Sequence, residues 1–362
     1  MTTEQFDTVI IGGGQAGLST AYHLTRRGAS CVILEDHERV GDIWRRRFDS
    51  LRLYSPAKYD RLPGWAFPVP PWTYPSKDQV ADYVEAYASR FELPVRTGVR
   101  VDTVTQDGDH FVVRVGDQTF EAGNVVVASG TWQDPRTPEL AAQLDPSIRQ
   151  LHSHHYRNPS QLQPGDVLVV GASHSGADIA LEVSGGHRTT LAGPVRGELP
   201  MDIEGRVARM VLPFLWFAAN HVLTRATPVG RKMHPEVLAH GGPLLRVKQA
   251  HLAAAGVEHV SEKVTDVQDG LPVLADGRVL DVRNVVWCTG FGKDLSWIQV
   301  PFDVQDGWPV QERGVVPSLP GLCFIGLPFL YAFASMLVGG VGRDVERVAT
   351  HIAAHTRARV PA

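Results

Sequence analysis

Gly12-Gly13-Gly14-Gln15-Ala16-Gly17 decides the fold of this chain, because Gly171-Ala172-Ser173-His174-Ser175-Gly176 repeats its pattern. Each stretch follows an apolar run typical of a buried strand, Phe6 to Ile11 and Val167 to Val170, and leads into a helix-like pattern. A glycine turn there lets the backbone approach a pyrophosphate, and the helix N-terminus offers free N–H groups. Two such turns predict two dinucleotides that react, which points to electron transfer between a nicotinamide and a flavin.

The first stretch opens a βαβ unit. We predict a helix from about Gln15 to Arg27, and then a strand from Cys31 to Leu34 that ends in Glu35. Glu35 follows Gly17 by 18 residues, where a carboxylate can accept hydrogen bonds from ribose hydroxyls. We assign to this cofactor site Gly12, Gly14, Gln15, Ala16, Gly17 and Glu35.

The second unit repeats this order with one difference. Its second strand, Thr189 to Ala192, ends without an acid, in a segment that closes at Arg196. No carboxylate then repels a 2'-phosphate, and Arg196 or Arg188 could pair with one, unless both are simply solvated. The sequence therefore predicts NADPH here, with NADH possible. We assign to this site Gly171, Ser173, His174, Ser175, Gly176 and Arg196.

An apolar strand and a turn close both units in the same way. The segment from Val125 to Gly130 resembles the one from Val285 to Gly290. Gly12 precedes Gly130 by 118 residues, and Gly171 precedes Gly290 by 119, which predicts an internal duplication. Small residues at the turns let the backbone pass close to a cofactor or form a plain hinge. We assign Gly130, Thr289 and Gly290 to the cofactor sites.

The predicted fold class is α/β, with two Rossmann-like dinucleotide-binding domains. We expect a discontinuous FAD-binding domain, residues 1–160 and 291–362, around an NAD(P)H-binding domain of residues 161–290. In the last part, Leu322 to Ile325 is a predicted strand that rejoins the first domain. The glycine cluster at Gly339 to Gly342 lies near the start of a final helix, where it faces the flavin or serves packing.

Composition excludes several classes of protein. The chain has 362 residues, 43% apolar and 20% charged, with a net charge of -4 and no basic block that would bind nucleic acid. Its three cysteines form no closely spaced pair, which fits a reducing compartment and removes the dithiol of a disulfide reductase. The first residues do not resemble a secretory signal, so we expect a cytoplasmic protein.

One apolar stretch bears on membrane contact. Met210 to Thr224 lacks charged residues but is shorter than the ~20 residues of a spanning helix. We predict a buried helix or a tunnel wall, and no membrane span. The wider segment from Pro200 to Pro243, with Phe214, Trp216 and Phe217, and the segment from Phe329 to Phe333 are predicted to select the substrate or to form core between domains.

Four further segments carry a family resemblance. They are Gly41-Asp42-Ile43-Trp44-Arg45, then Asp49 to Pro56, His152 to Tyr156, and Cys288-Thr289-Gly290-Phe291. With the two glycine stretches, they resemble the flavin-containing monooxygenases of the small bacterial branch, whose members are often called flavoproteins of potassium transport. Plant indole-3-pyruvate monooxygenases are more distant relatives. The resemblance covers nearly the whole chain.

The resemblance implies cofactors and a reaction. FAD is expected at the first glycine stretch, with Gly41, Trp44 and Arg45 beside it, and NADPH at the second. A hydride passes to the flavin, which activates molecular oxygen as a C4a-hydroperoxide and oxygenates a small sulfur- or nitrogen-containing substrate. The cofactor carries this chemistry, so no side-chain nucleophile is expected.

Three departures from the family pattern limit this expectation. Pro146-Ser147-Ile148 stands where the identifying motif begins Phe-x-Gly. Tyr156-Arg157 replaces the Trp-Pro of Baeyer–Villiger enzymes, which disfavours ester-forming oxidation. Tyr54 occupies the position of an Asn that lies beside the flavin in many members.

Few side chains are candidates for a direct part in the chemistry. Tyr54 is the candidate catalytic residue, with a packing role as the alternative. His152 orders the linker, most simply through a structural hydrogen bond. His154 and His155 lack cysteine or acidic partners at ligand spacing, so no metal site is predicted.

Two other functions fit the same sequence. The first is an NAD(P)H oxidase or quinone reductase that never oxygenates a substrate, an alternative that Tyr54 favours. The second is a flavoprotein that senses nucleotide state and regulates a partner. The expected partners of the lead function are a small-molecule substrate and molecular oxygen, and a homodimer is possible.

Overall fold

A computed structural model gives the structure of residues 2–132 and 134–359. The strands are β1 (Thr2–Ile11), β2 (Cys31–Leu34), β3 (Val95–Arg96), β4 (Thr103–Asp107), β5 (His110–Val115), β6 (Gln118–Val127), β7 (Arg149–His152), β8 (Val167–Val170), β9 (Thr189–Ala192), β10 (Glu258–Val260), β11 (Val264–Gln268), β12 (Leu271–Leu274), β13 (Asn284–Trp287), β14 (Val304–Gln305), β15 (Trp308–Pro309) and β16 (Leu322–Phe324). The helices are α1 (Gln15–Thr25), α2 (Asp42–Arg45), α3 (Lys77–Arg90), α4 (His174–Val183), α5 (Arg206–Phe217), α6 (Pro228–Ala239), α7 (Gln249–Ala254) and α8 (Gly342–Arg359).

The first sheet has seven strands around the long β1 and β6. Its order is β3-β2-β1-β6-β5-β4, and β16 also pairs with β6. The first half of β6 pairs with β5 in antiparallel fashion, while its second half pairs with β16 in parallel. Strand β16 therefore brings the last part of the chain back to the first sheet, and this unit is discontinuous as predicted.

The second sheet has five parallel strands in the order β10-β9-β8-β13-β7. Its first four strands match β3-β2-β1-β6 of the other sheet, and the α/β class with two Rossmann-like units is confirmed. Strand β7 extends this sheet before residue 160, where the boundary between the domains was predicted. The edge strand is thus supplied by the chain as it enters the second unit.

Apolar residues on both faces of each sheet form the cores. The helix α1 buries the side chains that the sequence placed on its apolar side, Ala16, Leu18, Ala21 and Leu24. They pack with residues of α3 and α8 on one face of the first sheet. The all-buried strands β2, β8 and β13 are the continuous apolar runs that parallel sheets covered on both faces require.

The apolar stretch after Met210 is not buried, contrary to the prediction of a buried helix or tunnel wall. Phe214 is 76% exposed and Phe217 is 60% exposed, since one side of α5 faces away from the rest of the protein. Pro213 lies inside α5, which continues into a π-helical turn at Ala218–Val222. Among the described residues, no helix combines the length and the apolar character needed to cross a bilayer.

Candidate functional site

The first glycine turn is shaped by backbone contacts that exclude side chains. Gly12 has φ +109°, and a Cβ on it would lie 2.6 Å from the carbonyl oxygen of Ala128. A Cβ on Gly17 would lie 1.9 Å from the oxygen of Gly12. Gly14 caps α1 without a side-chain hydrogen bond, and nothing lies within 4 Å of its ideal Cβ. The first N–H groups of α1 therefore face open space, as a bound pyrophosphate requires.

Glu35 lies at the end of β2, beside this turn. Its carboxylate accepts hydrogen bonds from the Gly13 N–H at 2.6 Å and from the His37 N–H at 3.1 Å. Hydrogen bonds to Asp36 and then to Glu35 raise the pKa of His37 to about 9. Glu35, Asp36 and His37 place ligand atoms within 4.8 Å of one another, and the His37 ring lies against both carboxylates, at 2.5 Å from Glu35 and 2.7 Å from Asp36.

The segment from Gly41 to Arg45 forms the short helix α2. Gly41 caps it with φ +90°, where a Cβ would lie 2.6 Å from the Ala81 oxygen. The indole nitrogen of Trp44 is buried and has no hydrogen-bond partner among the described residues. Arg45 donates to the Val40 carbonyl and to the carboxylate of Glu85 at 2.8 Å. Arg45 thus holds the segment in place, and the Trp44 indole N–H has a hydrogen bond left to donate, within the described residues.

The second glycine turn repeats the geometry of the first. Gly171 again has φ +109°, and its Cβ would lie 2.4 Å from the carbonyl oxygen of Cys288, the counterpart of Ala128. A Cβ on Gly176 would lie 1.7 Å from the oxygen of Gly171. Ser173 caps α4 without a side-chain hydrogen bond to the helix. The duplication seen in the sequence is therefore also a duplication of backbone shape.

A strap made of residues 241–243 lies against the second turn. The Ser173 hydroxyl donates to the Gly242 carbonyl at 3.0 Å, and His174 Nε2 lies 2.6 Å from the Pro243 carbonyl oxygen. A Cβ on Gly241 would lie 2.7 Å from Ser173 Oγ, and one on Gly242 would lie 2.8 Å from the His174 ring. Both predicted cofactor residues therefore hold this strap.

The two arginines suggested for a 2'-phosphate lie at opposite ends of β9. Arg196 follows the strand, at the edge where the glycine turn lies, and its side chain is exposed. Arg188 precedes the strand, and its Nε lies 3.9 Å from an oxygen of Asp166. Of the two arginines, only Arg196 therefore lies at the sheet edge that carries the second glycine turn, which we call the cofactor edge.

The second closing turn bonds to the segment that follows the first closing turn. Gly130 and Gly290 both have positive φ, +73° and +81°, with nothing within 4 Å of an added Cβ. The Thr289 hydroxyl donates to the Arg136 carbonyl, and the Arg136 N–H donates to Gly290. His152 Nε2 lies 3.0 Å from the Gly290 oxygen, which confirms a structural hydrogen bond at the linker. The second closing turn is therefore bonded to the chain that leads from the first unit to the second.

Tyr54 bridges the two units. Its hydroxyl donates to Oδ2 of Asp178 on α4 at 2.6 Å, and its ring lies 4.9 Å from that of His174. The Arg246 guanidinium lies 5.1 Å from the Tyr54 ring and donates to the Arg52 and Leu53 carbonyls. Burial raises the pKa of both Tyr54 and Asp178. The loop with Tyr54 is therefore held directly against the helix of the second glycine turn.

A buried carboxyl lies in the same loop region. Asp60 is fully buried, and one of its oxygens accepts a hydrogen bond from the Ser55 hydroxyl at 2.7 Å. Its other oxygen has no partner among the described residues. Burial raises the pKa of Asp60 to about 7. Asp60 is thus a group that holds or releases a proton near neutral pH.

Comparison with known proteins places this geometry in a family. A family model described as pyridine nucleotide-disulphide oxidoreductase matches residues 9–221, more than half of the chain. The chain belongs to this family. A CzcO-like oxidoreductase of Geobacillus kaustophilus is 37% identical over 352 residues, with 96% of this chain and 99% of that protein covered.

Two further similarities identify the branch within this oxidoreductase family. A probable indole-3-pyruvate monooxygenase of Arabidopsis thaliana is 28% identical over 330 residues, with 83% of this chain and 80% of that protein covered. The solved structure of a flavin-containing monooxygenase from Stenotrophomonas maltophilia has a TM-score of 0.76 and 28% identity, covering 97% of this chain and 99% of that one. The predicted flavin-containing-monooxygenase-like identity is confirmed, and the protein is an oxidoreductase.

The cysteines of this oxidoreductase do not support the disulphide chemistry in the family's description. Cys31, Cys288 and Cys323 are all free, and burial raises the pKa of each thiol to about 12. A buried, protonated thiol is a poor nucleophile for thiol–disulfide exchange. The part of the family's chemistry that applies to this protein is therefore the use of a flavin and a pyridine nucleotide, without a reactive dithiol.

Sequence reasoning missed three parts of the site. Asp178 and Arg246 converge on Tyr54 from α4 and from the segment before α7, and the strap meets Ser173 and His174 from residues 241–243. Adjacent glycines at 241 and 242 were the one available signal, since consecutive glycines mark a close backbone approach. Nothing in the local pattern around Asp178 or Arg246 distinguishes them from surface charges.

Proposed function

We propose that this protein is an FAD-dependent, NADPH-consuming monooxygenase that oxygenates a small sulfur- or nitrogen-containing substrate. The observation that carries the proposal is the Tyr54–Asp178 hydrogen bond, because it joins the flavin-side loop to the helix of the second glycine turn. Two dinucleotides held by these turns would then meet at one junction. We further propose a cytoplasmic protein that takes molecular oxygen as co-substrate.

The first turn fits FAD. The backbone turn from Gly12 to Gly17, which we call the first cradle, has no room for side chains at Gly12 and Gly17 and has open space beside Gly14. The Trp44 indole N–H is buried and has no hydrogen-bond partner among the described residues. Gly14, Gln15 and Ala16 would meet the pyrophosphate through their backbone, and Glu35 would exchange its bond to Gly13 for ribose hydroxyls. We assign residues 1–160 and 291–362 to the FAD-binding domain, with β7 as their extension into the second sheet.

The second turn fits NADPH, within residues 161–290. Gly171 and Gly176 leave the same cradle, and Arg196 stands on the cofactor edge with no carboxylate at the end of β9. Ser173 and His174 hold the strap, so pyrophosphate binding at the start of α4 must share or displace those bonds. Because these bonds can form and break, the strap is compatible with NADPH that enters and leaves in each turnover.

The chain positions reactants rather than attacking them. FAD, when bound, supplies hydride acceptance from NADPH and the activation of oxygen. Burial raises the pKa of the Tyr54 phenol and keeps it neutral. The phenol donates its hydrogen bond to Asp178 and so holds the loop against α4. The partly buried Trp44 and the buried Asp60 would help to exclude water from the flavin side.

The segment from Phe329 to Phe333 contains a residue in an unusual conformation. Phe329 is fully buried with φ +49°, a conformation that is costly for a bulky residue. Its ring lies 5.4 Å from that of His234 on α6. We propose that the segment from Phe329 to Phe333 shapes the substrate pocket, whereas the exposed side of α5 does not.

The same junction also favours a second candidate. Because the Tyr54 hydroxyl is already bonded to Asp178, it is not available to a reduced flavin or its oxygen adduct in the way an asparagine amide would be. An NAD(P)H oxidase or quinone reductase that never oxygenates a substrate is therefore the alternative.

Product stoichiometry tests the proposal. Purified holoenzyme is supplied with NADPH, oxygen and a panel of thioethers, amines and ketones, and oxygenated product and hydrogen peroxide are counted against NADPH consumed. We expect at least one thioether or amine to yield product in proportion to NADPH. Peroxide alone, with every substrate, would establish the oxidase. The Gly176→Ala variant, which should retain flavin but not bind NADPH, controls for background oxidation.

A further inference from the structure

The exposed side of α5 carries an apolar stripe that nothing in the described structure covers. The stripe consists of Val207, Met210, Phe214 and Phe217, which are 56%, 67%, 76% and 60% exposed. Their spacing of three, four and three residues places them on one face of the helix. A monomeric protein rarely exposes adjoining large apolar side chains, so this face is suited to an apolar environment.

The opposite side of α5 contacts the rest of the protein at a few points. Ala208 is fully buried, and the Trp216 ring stacks on that of Tyr59 at 4.8 Å. The Tyr74 hydroxyl bonds to the Ile203 carbonyl just before the helix. These contacts hold the opposite side of α5 against the protein, and the stripe therefore faces outward.

A cationic rim accompanies the stripe in the sequence, with two of its members on α5 and three in the segment that follows. It consists of Arg206, Arg209, Arg225, Arg231 and Lys232, all exposed. Residues 205–235 contain these five cations and no acidic residue, although the whole chain has a net charge of -4. Among the described residues, no carboxylate forms an ion pair with any member of the rim. The two acids that flank this run, Glu204 and Glu236, lie against Arg52, Arg246 and His240 instead, so the run has no acidic partner within it.

We propose that the apolar stripe and its cationic rim dock the protein on the surface of an anionic lipid bilayer. Apolar and aromatic side chains on one helix face enter the interface, while flanking arginines and lysines meet anionic headgroups. The protein lies on the membrane and does not span it. A small apolar substrate dissolved in that membrane would reach the enzyme at high local concentration.

Charge argues for a bilayer rather than a second copy of this chain. A twofold dimer formed through the stripe would bring the same surface of both copies together, and with it both cationic rims. The segment offers no acidic residue to pair with them. An anionic membrane surface complements the rim and the stripe at once.

Vesicle sedimentation tests this proposal. The full-length holoenzyme is mixed with vesicles of phosphatidylcholine alone or of phosphatidylcholine with phosphatidylserine, at low and high salt. We expect binding to the anionic vesicles that high salt weakens. Replacing Phe214 and Phe217 by serine should weaken binding roughly tenfold or more. Arg209→Glu should weaken it by roughly fivefold or more, since each basic residue near the surface contributes about 1 kcal/mol.

Matched controls separate docking from misfolding and from dimerisation. Val304→Ser removes an exposed apolar residue outside the stripe, and Arg188→Glu reverses an exposed charge outside the rim, so both should bind like the parent. Flavin content and melting temperature show that the variants fold. Equal binding to neutral vesicles, or no binding, overturns the proposal. A stable dimer that the double serine variant converts to a monomer, with no vesicle binding, assigns the stripe to self-association instead.

Discussion

The two glycine turns share one backbone geometry but differ in what surrounds it. Both have a first glycine at φ +109° pressed against the closing strand, and a last glycine pressed against the first. The first turn opens into free space and ends its second strand in Glu35. The second carries the strap on Ser173 and His174 and ends its strand near Arg196. We propose that the shared part holds a dinucleotide pyrophosphate and that the differing parts decide which nucleotide stays and which exchanges.

The largest expected effect comes from filling the two cradles separately. Gly17→Ala and Gly176→Ala each place a methyl group within 2 Å of a carbonyl oxygen of the preceding turn. We expect Gly17→Ala to be isolated without flavin, and Gly176→Ala to keep its flavin while its reduction by NADPH slows on the order of a hundredfold or more. Flavin absorbance and anaerobic stopped-flow reduction measure the two losses. Gly186→Ala, with open space around it and outside both glycine turns, should change neither, and flavin loss from both Gly17→Ala and Gly176→Ala would contradict separate sites.

The next effect concerns the junction between the turns. Tyr54→Phe leaves the buried Asp178 without its donor, which costs about 1–3 kcal/mol. We expect flavin reduction by NADPH to slow about tenfold, because the loop no longer bonds to α4. Asp178→Asn, which can still accept the phenol proton, should be milder. Additive effects in the double variant would show that the two groups do not act together.

A smaller effect tests the difference between the strand ends. Arg196→Gln should raise the KM for NADPH by roughly tenfold and leave the KM for NADH unchanged, because only NADPH carries the 2'-phosphate. Arg188→Gln, at the other end of β9, is the matched control and should change neither constant. If both variants behave alike with NADPH, the topological choice of Arg196 is wrong.

The smallest effect concerns stability and belongs to the first unit. Burial raises the pKa of Asp60 from 3.8 to about 7. The folded protein therefore keeps a proton that the unfolded chain releases, so the contribution of Asp60 to stability is fully present below about pH 4 and is lost as pH rises to about 7. Asp60→Asn cannot ionise and should be more stable at pH 8 by on the order of 1–3 kcal/mol. Melting temperature from pH 4 to 8 measures this, with the exposed Asp303→Asn as control. A parallel pH dependence in parent and variant would remove Asp60 as its source.

Local patterns predicted most of the fold. The glycine turns, the apolar runs before them and the matched closing strands were sufficient for two Rossmann-like units, because each is set by residues a few positions apart. The same reasoning failed for α5. An apolar run predicts that a helix has an apolar side, but only the positions of neighbouring elements decide whether that side is covered.

The sequence by itself determined that the chain has two dinucleotide cradles, since only glycine fits where the backbone crosses within 3 Å of a carbonyl. It also determined that the two strand ends differ in charge. Only the tertiary structure brought Asp178 and Arg246 to Tyr54, laid residues 241–243 on the second turn and left the apolar stripe uncovered. Those contacts join residues 60 to 200 positions apart. Such contacts leave no periodic trace in the chain, because they depend on how two complete units pack together.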